Sequence, residues 1–221
     1  MSASAPDASG THSRAQIEEI VRDYILEHPE ILPQAMERLK AKHTTAAIDA
    51  QRSEIETPFA GAWEGAENGD VVLVEFFDYA CGYCRASLSD LAQIAANDPK
   101  VKIVYRELPI LSEQSNLAAK VSLLAAEQGK YMPFHKALYA AGKVTRESIV
   151  SAAASAGIDR KAAESAMSSD RYDAEIEKNI KLAQALGASG TPTFVVGNQV
   201  LNGAVGHDAI MAAVEAARVK K

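Results

Sequence analysis

Along the first fifth of the chain, apolar residues recur at helical spacing. Ile17, Ile20, Val21, Tyr24 and Ile25 fall on one side, which predicts an amphipathic helix opening near Arg14. Pro29 breaks it, because proline has no amide donor and its ring collides with the preceding turn. A second helix opens at Glu30-Ile31-Leu32-Pro33, with Ala35, Met36 and Leu39 along one face. From Ala41 to Glu56 that face dissolves into Lys, Ala, Gln and Thr, so this stretch reads as an exposed helical or frayed connector. Residues 1–13, rich in Ser, Ala and Gly, read as a disordered leader, and 14–57 as an N-terminal helical segment with its linker.

The pattern shortens beyond a Gly- and Pro-punctuated loop, Thr57-Pro58 to Gly69-Asp70, that holds the single tryptophan, Trp63. Val71 to Phe77 is a compact apolar run rich in β-branched and aromatic residues, the mark of a buried strand. A helix is expected from the cysteines at 81 and 84 to about Ala96, then a strand from Val101 to Leu108 closed by Pro109. Residues 112–188 read as helical throughout, divided at Gly129, Gly142 and Gly157. Thr193 to Val196, a Gly197-Asn198 turn and Gln199 to Leu201 make a hairpin, and His207 to Arg218 a last helix. The order is β-α-β, a block of helices, then β-β-α: an α/β domain over 58–221 with a helical insert at about 112–188.

Composition narrows the function. Of 221 residues, 48% are hydrophobic and 24% charged, an ordinary globular balance. A formal net charge of -6 argues against nucleic acid as the partner, since phosphate binding needs a basic face. No apolar run approaches the length of about 18 residues that spans a bilayer. The start, Met1-Ser2-Ala3-Ser4-Ala5-Pro6, does not read as a signal peptide, which leaves a cytosolic location or an export signal already removed.

The 2 cysteines form one C-x-x-C, Cys81-Gly82-Tyr83-Cys84. That excludes a scaffold stapled by several disulfides. A C-x-x-C between a buried strand and a helix has a specific use. The first sulfur sits where free amides and the positive end of the helix dipole favour a thiolate. The second, one turn inward and more buried, resolves the mixed disulfide that the first one forms. Cys81 is therefore the expected nucleophile and Cys84 the resolving thiol. A zinc site would need a second ligand pair, which His12, His28, His43, His135 and His207 do not supply. A purely structural disulfide across so short a loop would add little stability. Gly190-Thr191-Pro192-Thr193-Phe194, taken alone, reads as an ordinary loop proline with a trans bond.

Phe76-Phe77-Asp78-Tyr79-Ala80-Cys81-Gly82-Tyr83-Cys84 together with Gly190-Thr191-Pro192 resembles the DsbA-like branch of the thioredoxin superfamily. Within it the chain is most similar to the suppressor-of-copper-sensitivity protein C group of periplasmic disulfide enzymes. The likeness runs from about Ile17 to the C-terminus and includes Leu26-Glu27-His28-Pro29-Glu30, Pro109-Ile110-Leu111 and Gly129-Lys130-Tyr131 with Phe134-His135. It implies a thioredoxin fold carrying the helical block as an insert, preceded by an N-terminal helical oligomerisation segment. It also implies a cis Pro192 opposite the cysteines, with Thr191 offering its main chain to an extended substrate alongside Gly82 and Tyr83. Glu75, six positions before Cys81, falls where the superfamily commonly has a buried acid; it reads either as a proton shuttle for Cys84 or as a strand-end glutamate. Tyr131, Phe134 and His135 read as packing of the insert, His207 as a cap for the last helix, and Asp170 to Glu177 as a solvated helix face.

Making, breaking and exchanging disulfides share one chemistry, and the direction follows the reduction potential and the partner. Gly-Tyr between the cysteines lacks the histidine of the superfamily's strong oxidases, and threonine before the proline resembles the isomerases. The apolar N-terminal face needs burial against other copies unless it docks on its own domain; the resemblance implies a homotrimer. The expectation is a periplasmic isomerase or reductase without a cofactor beyond the Cys81–Cys84 pair. It would act on misfolded or disulfide-bearing secreted proteins and be recharged by a membrane thiol reductase of DsbD-like type. The alternatives are an oxidase donating its disulfide, a Cu(I)-binding protein using Cys81 and Cys84, and a chaperone-like module using the N-terminal apolar face.

Overall fold

The computed structural model describes residues 12–219 and divides into two compact units between His43 and Thr44. The leader expected over 1–13 therefore lies outside the described residues except for its last two. Ser13 is the N-cap of α1 (Arg14–Glu27): its hydroxyl accepts from the Gln16 amide at 3.3 Å while the Gln16 side chain accepts from the Ser13 amide at 2.9 Å. After the break at Pro29 comes α2 (Ile31–Glu56). In the first unit Ile17, Ile20, Val21, Tyr24, Leu26, Ile31, Leu32, Met36 and Leu39 are all exposed. The amphipathic pattern is real, and its apolar face is unburied.

The second unit is built on a five-stranded sheet: β1 (Trp63–Gly65), β2 (Val71–Phe77), β3 (Val101–Glu107), β4 (Thr193–Val196) and β5 (Gln199–Asn202), in the order β1-β3-β2-β4-β5. β2 and β3 run parallel, joined by α3 (Gly82–Asn97); every other pairing is antiparallel. Between β3 and β4 lies the helical block, α4 (Glu113–Glu127), α5 (Tyr131–Ala140), α6 (Arg146–Ser155), α7 (Arg160–Ser168) and α8 (Asp173–Ala185), and α9 (His207–Val219) follows the hairpin. This is a thioredoxin-like sheet with a helical insert, as the pattern and the resemblance implied.

Strand alternation explains the two cores. Leu73, Phe77, Ile103, Tyr105, Phe194 and Val196 face one layer, with α3, α9 and the helical block. Val74, Phe76, Val104 and Val195 face the other, where they meet Leu182 and Ala183 of α8 and Ile48 and Ile55 of α2.

That second layer corrects the connector reading of 41–56. Ile48 and Ile55 are fully buried, so two isoleucines seven positions apart anchor the end of α2 under the sheet. Residues 44–57 thus belong with the catalytic unit. The loop around Trp63 is also not all loop. β1 lies antiparallel to β3, pairing Trp63 with Val104 and Glu64 with Ile103, and ends at Gly65 (φ 86°), where a Cβ would strike the Val101 carbonyl.

Candidate active site

Cys81 is the N-cap of α3, and its sulfur accepts a hydrogen bond from the Cys84 amide at 3.3 Å. This happens because β2 ends in Phe77 and the next three residues turn the chain. The Asp78 carbonyl receives the Cys81 amide at 3.0 Å and the Tyr139 hydroxyl at 3.1 Å, which fixes the cysteine at the helix head. From the other side the Cys81 thiol donates to the Thr191 carbonyl at 3.2 Å. The Thr191–Pro192 bond is cis, against the trans form expected from composition and in line with the resemblance. Both cysteines are free thiols, Cys81 5% and Cys84 1% exposed, whereas the Tyr83 side chain between them stands largely in solvent. Gly82 has open space where a Cβ would be.

Below the cysteines the interior is unusually polar. Burial pushes the Cys84 thiol far up, and the neighbouring Glu75 carboxyl adds to it. Glu75, 1% exposed, is pushed up to about 8, first by burial and then by Cys81 and Glu64, and its Oε1 has no hydrogen-bond partner. Alternation along β2 and β3 puts Glu75, Phe77, Tyr105 and Glu107 on the same face. Glu107 is likewise buried and held neutral by burial above all. His135 is fully buried, with Nδ1 at 3.1 Å from the Tyr79 hydroxyl and its pKa lowered to about 3 by burial; it packs the insert as a neutral ring.

Four of these features escape a reading based on the C-x-x-C alone. Asp78, buried, accepts from the Ala80 amide at 2.8 Å and from the Ile110 and Leu111 amides at 2.9 Å each, tying the turn before Cys81 to the segment after β3. Glu107, Tyr105 and Glu64 complete the polar layer. The signal for Glu107 and Tyr105 was the two-residue period of Val101 to Leu108, which places them beside Ile103 on the inner face. His207, expected to cap α9, is instead its first residue, with Nδ1 at 3.0 Å from Asp208. Among the described residues no group of three or more His, Cys, Asp or Glu side chains is arranged to hold a metal ion, and no helix is long and apolar enough to cross a membrane.

Comparison with known proteins gives the same picture. Residues 72–215 match the DsbA-like thioredoxin domain, and residues 14–44 match the N-terminal domain of the copper resistance protein ScsC. A thioredoxin-like oxidoreductase from Silicibacter pomeroyi is 39% identical with a TM-score of 0.70, covering 75% of this chain and 95% of its own. A linker-deleted ScsC variant from Proteus mirabilis is 26% identical with a TM-score of 0.73, covering 97% and 100%. A Na(+)/H(+) antiporter NhaA from Herminiimonas arsenicoxydans is 30% identical over 158 residues, which is 70% of this chain; the chain spans only 25% of that relative's length. With the paired cysteines at the helix head and both domains matched, the chain belongs to the DsbA-like thioredoxin family of thiol–disulfide oxidoreductases and carries the N-terminal domain of the ScsC group.

Proposed function

We propose that the protein is a periplasmic disulfide isomerase and reductase for misfolded or disulfide-bearing polypeptides, with Cys81 as nucleophile and Cys84 as resolving thiol. One observation carries this reading: the Cys81 sulfur at the head of α3 is within hydrogen-bond reach of both the Cys84 amide and the Thr191 carbonyl. A substrate strand laid against Thr191, beside cis Pro192, would bring its disulfide to that sulfur.

The Cys81 thiolate attacks one sulfur of the substrate disulfide. A Cys81–substrate bond forms, the substrate S–S bond breaks, and the other substrate sulfur leaves as a thiolate that takes a proton from water. In isomerisation a second substrate thiolate then attacks the bound substrate sulfur and releases Cys81, with no net electron transfer. In reduction Cys84 attacks Cys81 instead. The Cys81–Cys84 disulfide forms, the substrate gains two electrons, and a dithiol reductase of the membrane DsbD-like type must return them. For that second route Cys84 has to lose its proton in a buried setting that opposes the anion. Glu75 is the base in place to take it, because its pKa of about 8 leaves an ionised fraction at neutral pH and a strong enough proton affinity.

Isomerisation is favoured over oxidation by Gly82-Tyr83, which brings no imidazole to stabilise the thiolate, and by the unburied apolar face of residues 17–39. Packing that face against two further copies in a homotrimer would gather three active sites around one substrate. The periplasmic location follows the family resemblance.

A Cys84→Ser protein is expected to accumulate covalent adducts with a disulfide-bearing substrate through Cys81, resolvable by mass spectrometry and released by dithiothreitol. If no adduct forms at Cys81, the nucleophile assignment is wrong. Removing residues 1–43 is expected to lower the molar mass in solution to that of a monomer. Rescue of scrambled ribonuclease should fall severalfold while insulin reduction persists. A truncated protein that isomerises at the full rate would sink the assembly argument. The cut belongs at 43, since removal of everything before Asp70 would also strip Ile48, Ile55 and β1 from the catalytic unit.

A further inference from the structure

Three strands set three polar side chains in a row on one face of the sheet. Glu64 on β1 pairs with Ile103 of β3, whose face is shared two residues on by Tyr105, and Tyr105 pairs with Glu75 of β2. Tyr105 is buried, and its hydroxyl donates to the Glu64 carboxylate. Glu64 itself is half-buried and reaches the rim of the sheet, whereas Glu75 lies inside with an unpartnered oxygen.

We propose that Glu64 is a positioning residue for the proton-handling carboxyl of Glu75: fixed by the Tyr105 hydroxyl on the shared sheet face, its negative charge sets the pH at which Glu75 accepts the proton of Cys84. The proposal deepens the role given to Glu75 above and rests on it.

The charges around Glu75 make the sign clear. It is faced by Cys81 and Cys84 from α3, Glu64 from β1, Tyr105 and Glu107 from β3, Tyr79 from the turn before Cys81, and Tyr131 and Tyr139 from α5. None of these groups is a cation. Glu107 is held neutral by burial and the tyrosines do not ionise near neutral pH; the like charges that act on Glu75 are first that of Cys81, which a mixed disulfide removes, and then that of Glu64. A like charge in a poorly solvated setting favours the protonated form of its neighbour. Glu64 thereby makes Glu75 a stronger base and, at the same time, raises the pH at which that base becomes free. The Tyr105 hydroxyl matters because it holds the Glu64 carboxylate toward the interior; an unheld glutamate on an edge strand would turn to solvent, where its charge is screened.

The test uses the full-length reduced protein mixed rapidly with oxidised glutathione. The decay of the Cys81–glutathione adduct, which requires attack by Cys84, is followed by acid quench and mass spectrometry from pH 5 to 10. In Glu64→Gln, which keeps an acceptor for Tyr105 but no charge, the midpoint of the rate–pH curve is expected to fall by about one unit. On the acid limb decay is then up to about tenfold faster. The plateau at high pH stays level or drops, since the base is weaker. Tyr105→Phe keeps the ring packing and is expected to move the midpoint the same way, which provides a second reading independent of the Glu64 backbone. A merely structural role for Glu64 would change the thermal midpoint and leave the shape of the pH curve alone. Glu75→Gln serves as the reference. If it flattens the profile while Glu64→Gln and Tyr105→Phe overlay the wild type or move upward, the role of Glu64 is overturned and that of Glu75 stands. If Glu75→Gln itself overlays the wild type, the assignment of Glu75 fails, and with it the premise on which Glu64 acts.

Discussion

Replacing Glu75 with glutamine is expected to slow resolution of the mixed disulfide by about a hundredfold and, in the same protein, to raise thermal stability at pH 8. The rate loss follows from removing the one base placed against a thiol that burial keeps protonated; positioned general bases contribute on the order of 10² to 10⁴. Attack by Cys81 on the substrate should be little changed, so the mixed disulfide accumulates and direct observation of adduct decay separates the two steps. The stability gain has the opposite origin. A carboxyl whose pKa rises from its ordinary 4.5 to about 8 on folding opposes the folded state. Between these two values the unfolded chain has released the proton while the folded one still holds it, so stability falls as pH rises through this window and levels off above about 8. The full cost is on the order of 5 kcal/mol. Glutamine recovers only part of it, because its own amide is buried where Glu75 Oε1 has no partner. A net gain of about 2 kcal/mol at pH 8 corresponds to a midpoint raised by about 4–8 °C. At pH 4.5, where the ionisation cost has all but gone and the buried amide remains, the gain should turn into a loss. Equal stability of the two proteins at pH 8 would mean that Glu75 is ionised and solvated in the folded state, and the proton-shuttle reading would go with it.

The sequence shows some of this plainly and hides the rest for physical reasons. Val71 to Phe77 is legible as a strand because it is an almost unbroken apolar run, and Val101 to Glu107 because its residues alternate with a period of two. The helices of the insert announce themselves through breaks: Gly129, Gly142 and Gly157 take φ of 65°, 84° and 75°, conformations that end a helix. The pairing of Cys81 with Thr191 across 110 positions was carried by family resemblance, since no local pattern connects a C-x-x-C to a distant proline. Ile48 and Ile55 were missed because a buried stripe of two residues, diluted by Thr44, Thr45, Ala46 and Ala47, looks like a solvated helix until the sheet above it is known. β1, three residues long, has too few positions to show a period. Glu107 is an ordinary charged residue in sequence, and Glu75 stands out only through the resemblance; what makes both unusual is desolvation, a property of the assembled layer. The same is true of Glu175, read as part of a solvated face but only 12% exposed at its side chain, at 3.4 Å from Arg106.

That arginine is where the largest loss of stability is expected. Arg106 is 2% exposed on the face of β3 opposite the cysteines. Its Nε donates to the Ile55 carbonyl at 2.9 Å, one Nη to Asn179 at 2.8 Å, and the other to the Thr57 carbonyl at 2.6 Å and to the Glu54 carbonyl. The backbone acceptors are the end of α2, where a helix leaves its last carbonyls without partners and carries the negative end of its dipole. A single guanidinium, with five donors in a rigid fork, closes that end, fixes Asn179 of α8 and balances Glu175. Burial pulls its pKa down while Glu175 and Glu54 pull it up, and it remains a cation at any pH the protein meets. Arg106→Met preserves much of the volume but leaves the α2 carbonyls and Asn179 without their donor in a dry layer, and Glu175 with Lys178 as its remaining cation. Removing one partner of such a buried network costs about 3–5 kcal/mol, a midpoint lowered by about 6–20 °C. Arg106→Lys, with one ammonium in place of the fork, should recover only part of it. Below its melting range the methionine variant should reduce oxidised glutathione at close to the wild-type rate, because Cys81, Cys84 and Glu75 lie across the sheet. A loss under about 1 kcal/mol in thermal or urea unfolding would show that water or a rearranged α2 terminus takes over these carbonyls, and the second layer would then not depend on this side chain.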